Sequence, residues 1–251
     1  MENRLNAAIF RSNFLFSQLI FLLLFTCFNT QAFSLENNNS TLYIDPSLIK
    51  PNIFLPPPPI TDSLEINQEI ILIKNVMLNI NTDQKMLAKS DALTKNVSFF
   101  SDVIPNFDID KLPITKAVFQ SIRYNENHEV EVFKKYFSRK RPMHIDETIT
   151  PCVHADAEDL FESYPSGHTT MAYTMGIILA YLIPEKASQI MARSRKYAIN
   201  RVFCGSHFPS DIVAGQVLGS LVALSMLENS AFKIRLEESK QELIRFGFTV
   251  H

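Results

Sequence analysis

Tyr164-Pro165-Ser166-Gly167-His168-Thr169 runs directly into the nearly all-apolar stretch Met171 to Ile183, which Pro184 closes. An apolar run of that length with no polar face belongs to a helix buried on every side, so the chain reads as an all-α, single-domain helical bundle around this segment. Ser166 is placed to cap the helix. Gly167 lets a ligand approach the backbone closely and leaves the first helical amides, with the positive end of the dipole, facing outward. That is a seat for an anion. His168, at the rim of the seat, adds a side chain that ordinarily titrates near ~6.5 and so can move a proton.

Helical periodicity continues on both sides of this stretch. Ile66, Ile70, Ile73, Met77 and Ile80 recur at threes and fours after Asp62-Ser63. Thr82 or Asp83 is expected to cap a second helix reaching about Phe100, and a third runs from about Pro113 to Phe137. Downstream, a helix from about Glu185 to Phe203 is broken at Cys204-Gly205. Pro209 opens another, to about Leu227, and a last amphipathic helix spans about Ala231 to Phe246. Period-2 strands and internal repeats are absent.

The first 32 residues read as a signal peptide: Arg4 and Arg11, an apolar core around Phe14-Leu15-Phe16 and Leu19 to Phe28, and a small-residue exit at Thr30-Gln31-Ala32. A membrane anchor and a lipid-bearing Cys27 are the weaker alternatives, since Ser17 and Gln18 interrupt the core and Leu24-Phe25-Thr26 is a poor lipidation lead-in. A periplasmic or secreted protein is therefore expected. Residues 33–63, with Pro46, Pro51 and Pro56-Pro57-Pro58-Pro59, are expected to form an extended Pro-rich arm docked on the surface by Leu42, Tyr43, Ile49, Ile53, Phe54 and Leu55. Residues 64–251 make the helical domain. Its longest apolar stretches, Gly176 to Ile183 and Ile212 to Met226, are short or interrupted by Gln216 and Gly219, which predicts no membrane contact once the signal is removed.

The 251 residues are 46% hydrophobic and 20% charged, with a formal net charge of -2. Such a balance offers no surface for nucleic acid, although small phosphorylated molecules fit. A homo-oligomer is left open by the composition. Outside the signal only Cys152 and Cys204 remain, and a disulfide or two buried thiols are equally permitted.

Two further clusters flank the anion seat. In Lys134-Lys135-Tyr136-Phe137-Ser138-Arg139-Lys140-Arg141-Pro142, Pro142 is read as the end of the helix, which puts Lys134 and Arg141 two turns apart on one face, suited to a phosphate dianion. Alone, such a cluster merely offsets a helix dipole. In Asn200-Arg201-Val202-Phe203-Cys204-Gly205-Ser206-His207-Phe208-Pro209-Ser210-Asp211, Arg201 and His207 project into one loop-lined pocket, and Asp211 can fold back onto the imidazole four positions earlier. His128, His144, His154 and His251 show no metal-ligand spacing, and His154-x-Asp156-x-Glu158 reads as an exposed acidic loop, so neither metal nor cofactor is expected.

Together, Lys134-x6-Arg141-Pro142, Pro165-Ser166-Gly167-His168 and Arg201-x5-His207-x3-Asp211 resemble the three-part signature of the type 2 phosphatidic acid phosphatase superfamily, and most closely the bacterial class A non-specific acid phosphatases. The resemblance covers most of residues 43–227. It implies that His207 is the nucleophile, Asp211 its orienting carboxylate and His168 the general acid and then base. Lys134, Arg141, Ser166, the Gly167 amide and Arg201 would hold the phosphate oxygens, as positioning and electrostatics require in phosphoryl transfer. The implied function is metal-independent hydrolysis of small phosphomonoesters through a phosphohistidine intermediate, with phosphotransfer to alcohols as a side activity. A vanadate-dependent haloperoxidase and a non-catalytic phosphate-binding protein are the alternatives. Two positions depart from the pattern: Asn200 stands in place of a Ser, at the expected cost of one supporting hydrogen bond, and Phe161-Glu162 in place of Asn-Gly, which puts a carboxylate near the phosphate site.

Overall fold

A computed structural model describes residues 40–45, 47–153 and 160–250. The signal segment, residues 33–39 of the arm, Pro46, the His154-x-Asp156-x-Glu158 loop and His251 lie outside the described residues. Eight helices are described, one of them the single turn Pro51–Phe54. The others are α1 Leu64–Asn79, α2 Thr82–Leu93, α3 Pro113–Phe137, α4 Gly167–Leu182, α5 Ala187–Phe203, α6 Pro209–Glu228 and α7 Ser230–Arg245. Among the described residues there is no strand, only an isolated bridge between Arg139 and Glu162.

Local signals explain most of the helix starts. The Ser63 hydroxyl accepts from the Ile66 amide at 3.3 Å to open α1. For α2 the cap is Asn81, in reciprocal exchange with Gln84, rather than Thr82 or Asp83. That helix also stops earlier than Phe100. Thr94 turns extended, Asn96 accepts from the Ser98 amide, and a 3-10 turn at Val97–Phe100 follows. The Asn side chain competes with the helical backbone for its own hydrogen bonds, and the turn buries Phe99 and Phe100.

α3 starts at Pro113 without a cap of its own. Glu242 of α7 supplies one from 128 residues away, its carboxylate accepting from the Ile114 and Thr115 amides at 3.1 and 2.7 Å. At its other end Ser138 adopts the left-handed conformation (φ 46°) and the chain leaves the helix there, not at Pro142. Lys134 and Arg141 therefore do not share a helical face. Arg141 lies in an extended segment whose neighbours pair with residues 160–163: Ser163 N donates to Arg139 O and Arg141 N to Leu160 O.

α4 is the centre of the bundle, packed mainly against α6 and α5 and then α3. Ile178, Leu179 and Leu182 are completely buried. The approach to α6 is close enough that a Cβ on Gly215 would stand 2.7 Å from Ser166 O, and one on Gly219 2.5 Å from Thr170 O. Thr174 uses that proximity, its hydroxyl reaching Gly219 O at 3.1 Å. α6 forms one uninterrupted 20-residue helix through Gln216 and Gly219, so by length and composition it could cross a membrane, contrary to the sequence expectation. Half of its apolar window is buried within the bundle.

The arm is docked but not uniformly extended. Tyr43, Ile49 and Leu55 are buried, whereas Leu42 is exposed, as are Ile53 and Phe54 where residues 51–54 coil into a helical turn. Asn125 of α3 holds the arm, accepting from Tyr43 N at 2.7 Å and donating to Thr41 O at 2.8 Å. Tyr164 donates to Pro56 O at 2.8 Å. Cys152 and Cys204 form a disulfide, with Cα atoms 4.9 Å apart.

Candidate active site

A cavity of about 250 Å³ opens at the N-terminal end of α4. Lys134, Arg141, Gly167, His168, Arg201 and His207 all line it, drawn from three distant segments. Gly167 leaves room beside Lys134, whose Nζ lies 3.9 Å from where a Cβ at position 167 would be. Two of the expected site residues stand behind the wall. Ser166 is completely buried and its hydroxyl serves as the α4 cap, accepting from Thr169 N and from the Thr169 hydroxyl. Asp211 is completely buried behind His207.

The state of His207 follows from its partners. Arg141 Nη1 lies 3.1 Å from His207 Nε2, and a guanidinium can only donate, so Nε2 carries the lone pair. Nδ1 then carries the hydrogen and donates it to Asp211 Oδ2 at 3.2 Å. Asp211 fixes this tautomer because it is itself held, accepting from Arg139 Nη1 at 2.5 Å, Ser163 Oγ at 2.6 Å and Phe208 N at 2.9 Å. Burial pushes the Asp211 carboxyl up from its ordinary value, and Arg139 and the donated hydrogen bonds oppose that rise. Burial, followed by Arg141, Arg201 and Lys134, pushes His207 well below the usual imidazole range.

His168 is arranged differently. Its Nε2 donates to the Ala92 carbonyl at 3.1 Å, and its ring stacks near Tyr197 at 6.1 Å between centroids. With that N–H committed, any proton exchanged with a ligand sits on Nδ1. Burial, then Arg201 and His207, holds His168 well below its ordinary value. Arg201 is 5% exposed, and neither its Nε nor its Nη1 has a partner. Burial lowers its pKa to about 10. Buried donors without acceptors are costly, so these two point to an anionic ligand as their missing partner.

Spacing did not reveal the residues that support the pocket. Arg139, quoted within the first cluster but given no role there, donates to Asp211, Ser210 and Glu69 and lies over the Phe208 ring at 4.1 Å. Ser163 precedes the anion-seat motif and reaches Asp211. Arg193 joins Asp91 through two bonds, at 3.0 and 2.6 Å, beneath the His168 side of the site. Asn200 makes a hydrogen bond there, its Nδ2 donating to Asp91 at 2.7 Å. Glu162 faces the cavity and accepts from Lys134 Nζ at 3.1 Å. Among the described residues no group of three or more His, Cys, Asp or Glu is placed to hold a metal ion.

The family model of the PAP2 superfamily matches residues 115–235. An acid phosphatase from Zymomonas mobilis is 30% identical over 208 residues, which cover 80% of this chain and 78% of that protein. The chain belongs to the PAP2 superfamily. Within it, a non-specific acid phosphatase from Salmonella typhi is 27% identical over 203 residues, 78% of this chain and 80% of that protein. A transmembrane PAP2-type phosphatidylglycerolphosphate phosphatase from Bacillus subtilis shares the PAP2 fold at a TM-score of 0.50 and 18% identity, covering 70% of this chain and 89% of that one. The matched residues run from α3 to α7 and contain Lys134, Arg141, Gly167, His168, Arg201 and His207, whereas Ala92 and Lys95 of the cavity lining precede them.

Proposed function

We propose that the protein is an exported acid phosphatase that hydrolyses small phosphomonoesters through a phosphohistidine on His207, without a metal ion. The observation that carries this reading is the tautomer of His207: Nδ1–H is bound to a buried carboxylate and the Nε2 lone pair faces Arg141, in the cavity that Arg201 with its orphaned donors also lines. His207 Nε2 attacks phosphorus, the ester P–O bond breaks, and the leaving oxygen takes the proton from His168 Nδ1. Water then attacks the phosphohistidine, His168 Nδ1 accepts its proton, the P–N bond breaks and phosphate departs. An alcohol in place of water gives phosphotransfer.

Lys134, Arg141, Arg201 and the Gly167 amide surround the charge of the phosphoryl group, the part a divalent ion plays in other phosphatases. Because His168 must carry a proton to act as an acid and its pKa is depressed, activity is expected to favour acidic pH. The acid phosphatases of Zymomonas mobilis and Salmonella typhi support the substrate class. Export to the periplasm or medium rests on the signal-like first 32 residues.

Trapping decides the matter. The purified protein mixed with a radiolabelled aryl phosphate and quenched in base should carry acid-labile label, and His207→Ala should carry none and lose turnover. Label retained in His207→Ala, or activity that chelation abolishes and zinc restores, refutes the reading.

A further inference from the structure

Two carboxylates, Glu131 and Glu162, line the cavity beside Lys95, Arg123, Lys134, Arg141 and Arg201. Glu162 is bonded to a cation of the proposed phosphate cradle, accepting from Lys134 Nζ at 3.1 Å. This is not a loose surface pair. Lys134's side chain is 13% exposed, and its ammonium lies at the N-terminus of α4, where an anion is expected to sit. Glu162 is fixed by its backbone, since it bridges to Arg139, and the next residue is tied twice, through Ser163 N to Arg139 O and Ser163 Oγ to Asp211. The chain thus presents a resident carboxylate to the same ammonium that a phosphoryl group would use.

We propose that Glu162 is a positioning residue that acts through Lys134. It holds the ammonium in place in the empty site and competes with phosphate for it, which weakens ground-state anion binding and speeds loss of inorganic phosphate after turnover. This inference rests on the phosphatase reading above, but its central quantity, phosphate affinity, is measurable without turnover. An ammonium shared with a carboxylate offers an incoming anion less net attraction than a free one, and the repulsion between the two anions adds to the loss.

The test uses the full chain and inorganic phosphate as the probe, followed by calorimetry, with an aryl phosphate for kinetics. Glu162→Gln should bind phosphate about 2- to 5-fold tighter, the scale of a partly exposed charge pair, and KM should fall by a similar factor while kcat stays level or falls with the slower phosphate release. Glu162→Asp, which keeps the charge, should stay near the wild type. In a Lys134→Gln background the Glu162→Gln effect should largely disappear, as a double-mutant cycle requires for residues acting on each other. Glu162→Ala, checked for fold by circular dichroism, guards against a Gln that still accepts from Lys134. Phosphate affinity unchanged or weaker in both neutral variants, or an equal effect in the Lys134→Gln background, overturns the proposal. Tighter phosphate binding without any hydrolysis by the wild type would instead overturn the catalytic reading and leave the competition standing.

Discussion

Arg139 Nη1 donates to Asp211 Oδ1 at 2.5 Å across 72 positions of chain, and both side chains are buried. The same guanidinium reaches Glu69 of α1 at 3.0 Å and Ser210 at 2.7 Å, so the carboxylate behind His207 is braced against a third element of the bundle. A carboxylate needs such bracing in a buried position, where its charge is otherwise opposed by desolvation.

Replacing Arg139 by Gln should raise the Asp211 carboxyl further, because burial already raises it and the principal opposing charge is gone. The acidic limb of the pH–rate profile should then move to higher pH, and kcat should fall about 10- to 100-fold, the usual effect of groups that orient a reactive side chain. Arg139→Lys should recover part of both. A pH–rate profile on each variant is the measurement.

Arg201 makes the opposite case, a buried cation with two unpartnered donors. Arg201→Met, similar in bulk, should not lower the thermal midpoint of the unliganded protein, because it removes an uncompensated buried charge. It should abolish the rise in midpoint that inorganic phosphate gives the wild type, and turnover should drop by about 10²- to 10³-fold. Thermal scans with and without phosphate separate the two effects.

Stability should respond to pH through α3. Burial pushes Glu129 up to about 7, and pushes Glu126 up to about 7 against the pull of Arg123. In the unfolded chain both titrate at the ordinary carboxylate value, so between about 4.5 and 7 the folded state binds more protons and gains stability as pH falls. The buried histidines oppose this below about 6.5, where the unfolded chain takes up their protons first. Glu129→Gln removes one carboxylate contribution: it should stabilise the protein above pH 7 by about 1–3 kcal/mol and make no difference below pH 4.5. Urea unfolding at pH 8 and pH 4.5 tests the sign.

The disulfide closes a span of 52 residues that includes the anion-seat motif and α4. Replacing Cys152 and Cys204 by Ser should destabilise the fold by up to about 4 kcal/mol through the freedom returned to the unfolded chain. Catalytic constants at low temperature should change much less. Denaturant titration of the oxidised protein and of the double variant checks it.

Much of the fold was legible because its signals are local. Pro113 and Pro209 in the first turn, Ser63 and Ser166 as caps, and the uninterrupted apolar run after Met171 each act within about one turn of the residue that carries them. α2 was the failure of that logic: its cap is Asn81 rather than Thr82 or Asp83, and the Asn96 turn divided what spacing alone joined. The approach of Lys134 to Arg141 was expected for the wrong reason. Ser138 reverses the chain, and a short pairing of residues 139–141 with 160–163 brings the two together instead.

The sequence by itself determined an all-helical chain and the three clusters that form its cationic cavity, because helix caps, prolines and apolar periodicity are written in neighbouring residues. Tertiary packing alone decided which nitrogen of His207 faces Arg141, that Arg139 rather than solvent holds Asp211, that Lys134 shares its charge with Glu162, and that Cys152 meets Cys204. Those partners lie 28 to 72 positions apart. Their meeting depends on how α3, α5 and α6 pack around α4, and the strength of each pairing depends on the water that this packing excludes.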